Sequence, residues 1–341
     1  MNKKALSLLA VLALGTVAGC GNTNTSSTST PAPAKKYSVG LGYTETFDAA
    51  KGQLDVTTAF AAFDEAGKVY DVRFDVVQVK FTANEAKDGL TLTNTNVDAD
   101  YSVTTKLELG SAYGMVQFGN AVAEVNAQIE SFADWCAGKT VEEVIAGTPG
   151  AGHGTAINEE LTGKVTITVD AFEAALSKAY ATKSEATYEL NGTAGVAMVS
   201  GLAYNYGKPT KEIDVTVGGA FAKDGKVEVA LFDSIIYPVA IAEDGTLSTD
   251  TSSKYIEEGK VVSKKDLGDK YAMRPASPIG AEWDEQAAVI EAAAAGKTAD
   301  EIKALVAGQG ELTGATMTVT TYLKAIAKAA VYAEKAVINA N

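Results

Sequence analysis

Thr313, Thr316 and Thr318 bring three hydroxyls into six residues around Gly314 and Ala315. Glycine lets a backbone approach a phosphate closely, and a threonine Oγ1 is an oxygen nucleophile at the end of a loop that leads towards a helix. The chemistry open to this pattern is that of a hydroxyl oxygen beside a backbone that can be closely approached, and the same threonines also suit a β-strand. Other routes are closed by composition. His153, in the loop Pro149-Gly150-Ala151-Gly152-His153-Gly154, is the single histidine, and Cys20 and Cys136 are the two cysteines. No zinc set, Cys-His pair or Ser-His-Asp triad can be assembled from them. Cys136 extends the apolar series Val122, Val125, Ile129, Phe132 at helical spacing, so it reads as a buried thiol. Gly138-Lys139-Thr140 and Gly296-Lys297-Thr298 end like a phosphate-binding loop, but Ala133 and Glu291 stand where that loop needs a further glycine. They read instead as helix ends. Asp98, Asp100 and Ser102 open like a calcium loop that Val103 and Leu109 fail to continue. Glu159-Glu160 and Glu257-Glu258 read as solvated faces.

These residues sit within a chain that repeats itself. Leu109-Gly110, Tyr113 and Met115 return as Leu267-Gly268, Tyr271 and Met273, a displacement of 158 residues (267 − 109). Phe63 with Gly67-Lys68-Val69 returns at the same displacement as Phe221 with Gly225-Lys226-Val227, and the two Gly-Lys-Thr triplets share it. One displacement across three separate motifs implies a duplicated unit, long enough to bury a core of its own. The sharpest difference between copies sets Leu161-Thr162-Gly163-Lys164-Val165-Thr166-Ile167 against Leu312-Thr313-Gly314-Ala315-Thr316-Met317-Thr318. In that register Val165, without a hydroxyl, faces Thr316, and the first copy reads as degenerate.

Each copy opens with alternating strand-like segments around an Asp- and Gly-containing turn. The first spans Asp55 to Phe63 and Val69 to Lys80; the second spans Asp214 to Phe221 and Val227 to Ile241. Helices are expected over Gln117 to Ala137 and Glu282 to Ala295, closed by Gly138 and Gly296, with capping boxes at Thr140 and Thr298 starting a second short helix. Short strands at Val165 to Val169 and Thr316 to Thr320 are then expected, followed by helices from Ala171, with Asp170 as N-cap, and from Tyr322 to Val337. The fold class is α+β: two homologous repeats, residues 37–186 and 187–341, each a twisted antiparallel sheet packed with helices.

The start of the chain reads as an address. Met1-Asn2-Lys3-Lys4 and the apolar run Leu6 to Val17 form a secretion signal too short to span a bilayer. Val17-Ala18-Gly19-Cys20 has the order of a bacterial lipobox, in which Cys20 takes a diacylglycerol, so residues 1–20 are a lipoprotein signal peptide with its lipobox, and acylated Cys20 anchors the mature protein to the extracytoplasmic face of a cell membrane. The released tail Leu12 to Gly19 also has the character of a peptide pheromone. Residues 21–36, polar and small, form a flexible tether. The formal charge of −14, from 43 acidic and 29 basic residues, argues against a nucleic-acid partner and fits a soluble secreted protein equally.

Thr313-Gly314-Ala315-Thr316-Met317-Thr318 resembles the [Ser/Thr]-Gly-Ala-Thr-x-[Ser/Thr] signature of the FMN-binding domain family, which includes flavoprotein subunits of sodium-pumping NADH:quinone oxidoreductase and of the Rnf complex. Relatives among Gram-positive lipoproteins carry tandem copies and serve extracytosolic electron transfer. The resemblance covers the C-terminal third of each copy clearly and the hairpin region weakly. It implies FMN esterified through its phosphate to Thr316 by a separate flavin transferase, with Thr313, Gly314, Ala315 and Thr318 around it and Ala315 leaving room for that enzyme. Tyr271 and Trp283 are then candidates to cover the isoalloxazine, although each also suits a core. Family members place an Asp a few residues ahead of the motif, where this chain offers only Glu311. The resemblance implies an electron carrier with unknown redox partners, no metal and no catalytic residues of its own. The other reading is a flavin-free binding or scaffold lipoprotein.

Overall fold

The computed structural model describes residues 35–99, 102–119, 121–148 and 158–338. Cys20, its lipobox, most of the tether and His153 lie outside the described residues. From Lys35 onward the chain forms one compact unit.

The N-terminal half begins with an antiparallel meander, β1 (Ser38–Asp48), β2 (Gln53–Phe63), β3 (Val69–Ala83) and the short β4 (Leu90–Leu92), paired in that order. Helices α1 (Lys106–Leu109), α2 (Met115–Gly119), α3 (Val125–Cys136), α4 (Val141–Ala146) and α5 (Asp170–Ala181) follow. The C-terminal half has a second meander, β5 (Thr193–Leu202), β6 (Glu212–Lys223), β7 (Lys226–Ile241) and β8 (Leu247–Thr249), again in sequential order. Its helices are α6 (Lys264–Leu267), α7 (Trp283–Ala294), α8 (Ala299–Lys303) and α9 (Thr320–Ile338). The fold is α+β with antiparallel sheets.

The two sheets pack face to face. Val56, Phe60, Val77 and Val79 of one sheet share a core with Val196, Val215, Val217 and Phe221 of the other, and the Phe60 and Phe221 rings lie 5.3 Å apart. Each sheet buries its opposite face under its own helices, giving two outer cores. Continuous burial along the second half of β2, from Val56 to Phe63, follows from this layering, because both faces of the strand are covered. Helices come close where side chains are absent. A Cβ on Gly42 would lie 2.1 Å from the Ala175 carbonyl oxygen of α5, and one on Gly195 would lie 2.0 Å from that of Ala329 on α9.

The hairpins stand where the turn residues place them, but β1 and β5 were missed by the sequence reading. The long helix expected over 117–137 is divided into α2 and α3. Glu124 enforces the break by accepting the Met115 and Val116 N–H groups, at 2.9 and 3.2 Å. The Gly-Lys-Thr triplets are structural, as expected: Gly138 N–H donates to the Val69 carbonyl and Val69 N–H to that of Lys139, both at 2.8 Å. Thr140–Glu143 and Thr298–Glu301 form reciprocal capping boxes. Cys136 is fully buried, and burial pushes its thiol pKa up. Asp170 is the first residue of α5, whose N-cap position falls to Val169. Among the described residues no helix is long and apolar enough to cross a membrane, and no group of His, Cys, Asp and Glu could hold a metal ion.

Candidate functional site

Thr316 lies in an irregular loop between Leu312 and α9. The strands expected at 165–169 and 316–320 do not form, because their backbone groups have other partners. Thr316 and Met317 donate their N–H groups to the side-chain oxygen of Gln286, at 2.8 and 3.2 Å, and Leu323 N–H closes on the Val319 carbonyl at 2.9 Å to begin α9. Gln286 is fully buried on α7. Its amide nitrogen donates to the Ala281 carbonyl at 3.2 Å and to Ser277 Oγ at 3.3 Å, which turns Oε1 towards the loop. Thr316 Oγ1 also donates to Gln286 Oε1, at 3.3 Å, while the side chain is exposed. An exposed threonine is thereby held at a fixed place by a buried glutamine.

The neighbours of Thr316 serve packing more than access. A Cβ on Gly314 would stand 3.1 Å from Cγ2 of Val289 on α7, so the bare glycine faces that helix. Ala315 is fully buried, and its carbonyl accepts Gly308 N–H at 2.8 Å. Its methyl packs in the core of the C-terminal half. Thr313 donates its hydroxyl to the Gly310 carbonyl at 2.6 Å, and Thr318 is exposed. Glu311 pairs with Lys297 at 2.6 Å.

The N-terminal half has the same clamp. Gln128 of α3, fully buried, accepts Thr166 N–H at 2.8 Å, Thr166 Oγ1–H at 3.2 Å and Ile167 N–H at 3.2 Å. Thr166 is therefore the residue placed like Thr316, and buried Val165 is placed like buried Ala315. The register that set Val165 against Thr316 is one residue out, the extra residue being exposed Lys164 after Gly163. A threonine hydroxyl is present at this place in both halves.

Beside the two loops the halves diverge. In the C-terminal half Trp283 is buried to 1 % exposure, edge-on to Tyr322 at 5.6 Å and tilted against Tyr271 at 6.3 Å. Lys264 is buried with them, its Nζ 3.4 Å from the Tyr322 hydroxyl. Burial disfavours its ammonium, but the Asp214 carboxylate and the two tyrosines outweigh this and hold its pKa above the ordinary lysine value. In the N-terminal half Val125 begins α3 where Trp283 begins α7, and a cleft of about 510 Å³ opens there, lined by Asp55, Lys106, Tyr113, Met115, Thr166 and Phe172 among others. The sequence reading missed Gln128 and Gln286. Their signal was present, since both lie on the repeated helices at the same 158-residue displacement (286 − 128).

The fit of FMN divides by part. The exposed Thr316 hydroxyl suits an ester, whereas Trp283 belongs to the core and cannot cover a ring. A ring attached at Thr316 would have half-buried Met273, whose sulfur is 3.4 Å from Gln286 Nε2, and half-buried Tyr271 to lie against.

Over 97 residues the chain is 33% identical to a chlorophenol reductase of Desulfitobacterium hafniense, a match covering 27% of this chain and 29% of that protein. No family model and no solved structure matches the chain.

Proposed function

We propose that this protein is a tandem duplication, anchored to the outer face of the cell membrane through acylated Cys20, that carries electrons on FMN esterified to Thr316. The observation that carries the reading is exposed Thr316, its hydroxyl fixed by buried Gln286 next to Gly314 and Ala315. The partial likeness to a reductase supports a redox setting. The matching order of the two sheets and the paired Gln128 and Gln286 clamps support the duplication. When bound, FMN supplies reversible electron transfer. The chain holds the acceptor oxygen in place through Gln286 and presents Met273 and Tyr271 as a surface for the ring. A covalent link suits an exported carrier, since a dissociable flavin is lost outside the cell.

The alternative, a flavin-free binding lipoprotein, is favoured by one observation: Trp283, a candidate to cover the ring, is buried in the core together with Lys264. Co-expression of residues 35–341 with a flavin transferase, followed by intact-mass measurement, decides between them. The expected result is a mass gain of one FMN, lost in Thr316→Ala. An unmodified mass, with a known substrate modified in parallel, rejects the carrier. Parallel measurement of Thr166→Ala shows whether the second clamped hydroxyl is also used.

A further inference from the structure

A cavity of about 260 Å³ lies where the two halves meet, lined from β3, α1 and α3 on one side and from β5 and α9 on the other. Its charges have no counterpart in the C-terminal half. Phe74 and Asp75 answer Phe232 and Asp233, and Gln128 answers Gln286, at the displacement of 158 residues. In that register Arg73 answers Leu231 and Glu130 answers Ala288. A guanidinium and a carboxylate therefore stand on this one cavity through residues that the other half lacks.

Neither charge is used up by the fold. Arg73 Nη1 donates to the Val72 carbonyl at 3.3 Å and lies 3.6 and 3.8 Å from the Asp71 and Asp134 carboxylates. Its Nε is buried and meets no acceptor among the described residues, an unmet donor of a kind that folded proteins rarely leave. Glu130 is half-buried and makes no hydrogen bond or ion pair among the described residues. Burial raises its pKa more than the Arg73 charge lowers it, so an incoming cation relieves it. Glu108, the other carboxylate on the wall, is already satisfied: it accepts the Tyr332 hydroxyl and the Thr105 N–H, both at 2.9 Å, and pairs with Lys328. Phe74, Leu107, Ile129 and Val196 make the rest of the wall apolar. We propose that this cavity binds a single α-amino acid with an apolar side chain, its carboxylate on the Arg73 guanidinium and its ammonium on Glu130. A guanidinium fork matches a carboxylate, and a volume just under the range of drug-sized sites, about 300–1,000 Å³, suits a ligand of one residue. The proposal is independent of an ester at Thr316.

Residues 35–341, one compact unit, are titrated in a calorimeter with leucine, methionine and phenylalanine. The expected result is saturable one-to-one binding of at least one of them. The tightest is then compared with its two truncated analogues, one without the ammonium and one without the carboxylate; for leucine these are isocaproate and isoamylamine. Each analogue binds at least about tenfold more weakly, as for loss of a charged hydrogen bond. Arg73→Leu, which installs the residue of the C-terminal half, and Glu130→Gln, which keeps the shape and removes the charge, each weaken binding of the amino acid by at least about tenfold. Circular dichroism confirms the fold of each variant, and Glu130→Gln carries the test should Arg73→Leu fail to fold. No saturable binding of any of the three by the wild type, an analogue that binds as tightly as its amino acid, or wild-type affinity in either folded variant overturns the proposal. An unmodified mass at Thr316 leaves it standing.

Discussion

Asp75 and Asp233 are buried carboxylates whose roles match: each Oδ1 accepts the N–H of the next residue and of a helix residue, Leu107 at 3.1 Å and Lys265 at 3.2 Å. They tie β3 to α1 and β7 to α6. Burial pushes their pKa values up, to about 7 for Asp75 and about 6 for Asp233, from an ordinary 3.8. Between those limits the folded protein keeps protons that the unfolded chain has released, so this contribution falls as pH rises from about 4 to about 7. Denaturant midpoints at pH 4.5 and 7.5 should therefore show the wild type losing stability at the higher pH. The double variant Asp75→Asn, Asp233→Asn should lose less, by on the order of a few kcal/mol. An equal loss in both proteins would remove these carboxylates from the account. Glu282 runs the other way. Burial alone would raise its pKa, but the N–H groups of Arg274, Met273 and Trp283 outweigh burial and hold it below the usual range. Its carboxylate stays ionised, fixing the entry to the helix that carries Gln286.

At the scale of elements, the Gly-Lys-Thr triplets join a helix end to the start of a strand hairpin, since Gly296 N–H donates to the Val227 carbonyl at 2.7 Å and Val227 N–H returns to that of Lys297 at 3.0 Å. The glycines there hold φ of +77°. Gly138→Ala and Gly296→Ala should each cost about 1 kcal/mol, whereas Lys297→Met, which loses the ion pair to Glu311, and Lys139→Met, which loses the bond to the Trp135 carbonyl, should each cost about 0.5–1 kcal/mol or less. A phosphate-binding role would reverse that order in ligand affinity. Thermal melts of the four variants check the ranking. These joints were legible in the sequence because they depend on local signals: a glycine after the helix, a capping threonine, and a glutamate three residues on. The hairpins were legible for the same reason, through their turn residues. What the sequence concealed depends on contacts between distant segments. β1 and β5 carry glycines within the strand, Gly40 and Gly42 in one and Gly195 and Gly201 in the other, which weaken the strand pattern, and the Thr166 and Thr316 loops look strand-like until their N–H groups are seen to belong to Gln128 and Gln286. The one-residue error that set Val165 against Thr316 has the same origin, since only the glutamine clamps fix the register across inserted Lys164.

The whole molecule is organised around the face shared by its two sheets. Phe60 lies against Gly219, where a Cβ would come within 2.2 Å of the ring, so the aromatic on one sheet requires a bare backbone on the other. Polar contacts reinforce the joint: Asp71 accepts Ala194 N–H at 2.8 Å, Ser200 N–H donates to Ser102 Oγ at 3.0 Å, and Asp266 pairs with Lys178 at 2.6 Å while accepting the Tyr43 hydroxyl at 2.8 Å. Each half has an outer core, but its inner sheet face is apolar and is covered only by the other half. Residues 35–186 and 187–341 made separately should therefore expose a face larger than soluble monomers tolerate. They should elute as dimers or aggregates in size-exclusion chromatography with light scattering, and mixing them should recover a species with the mass of the intact protein. Gly219→Val in the intact chain should destabilise by about 1–3 kcal/mol through overpacking against Phe60, with little effect on either threonine loop, which belong to the opposite outer layers. Monomeric, cooperatively melting halves would instead make each half a self-sufficient domain.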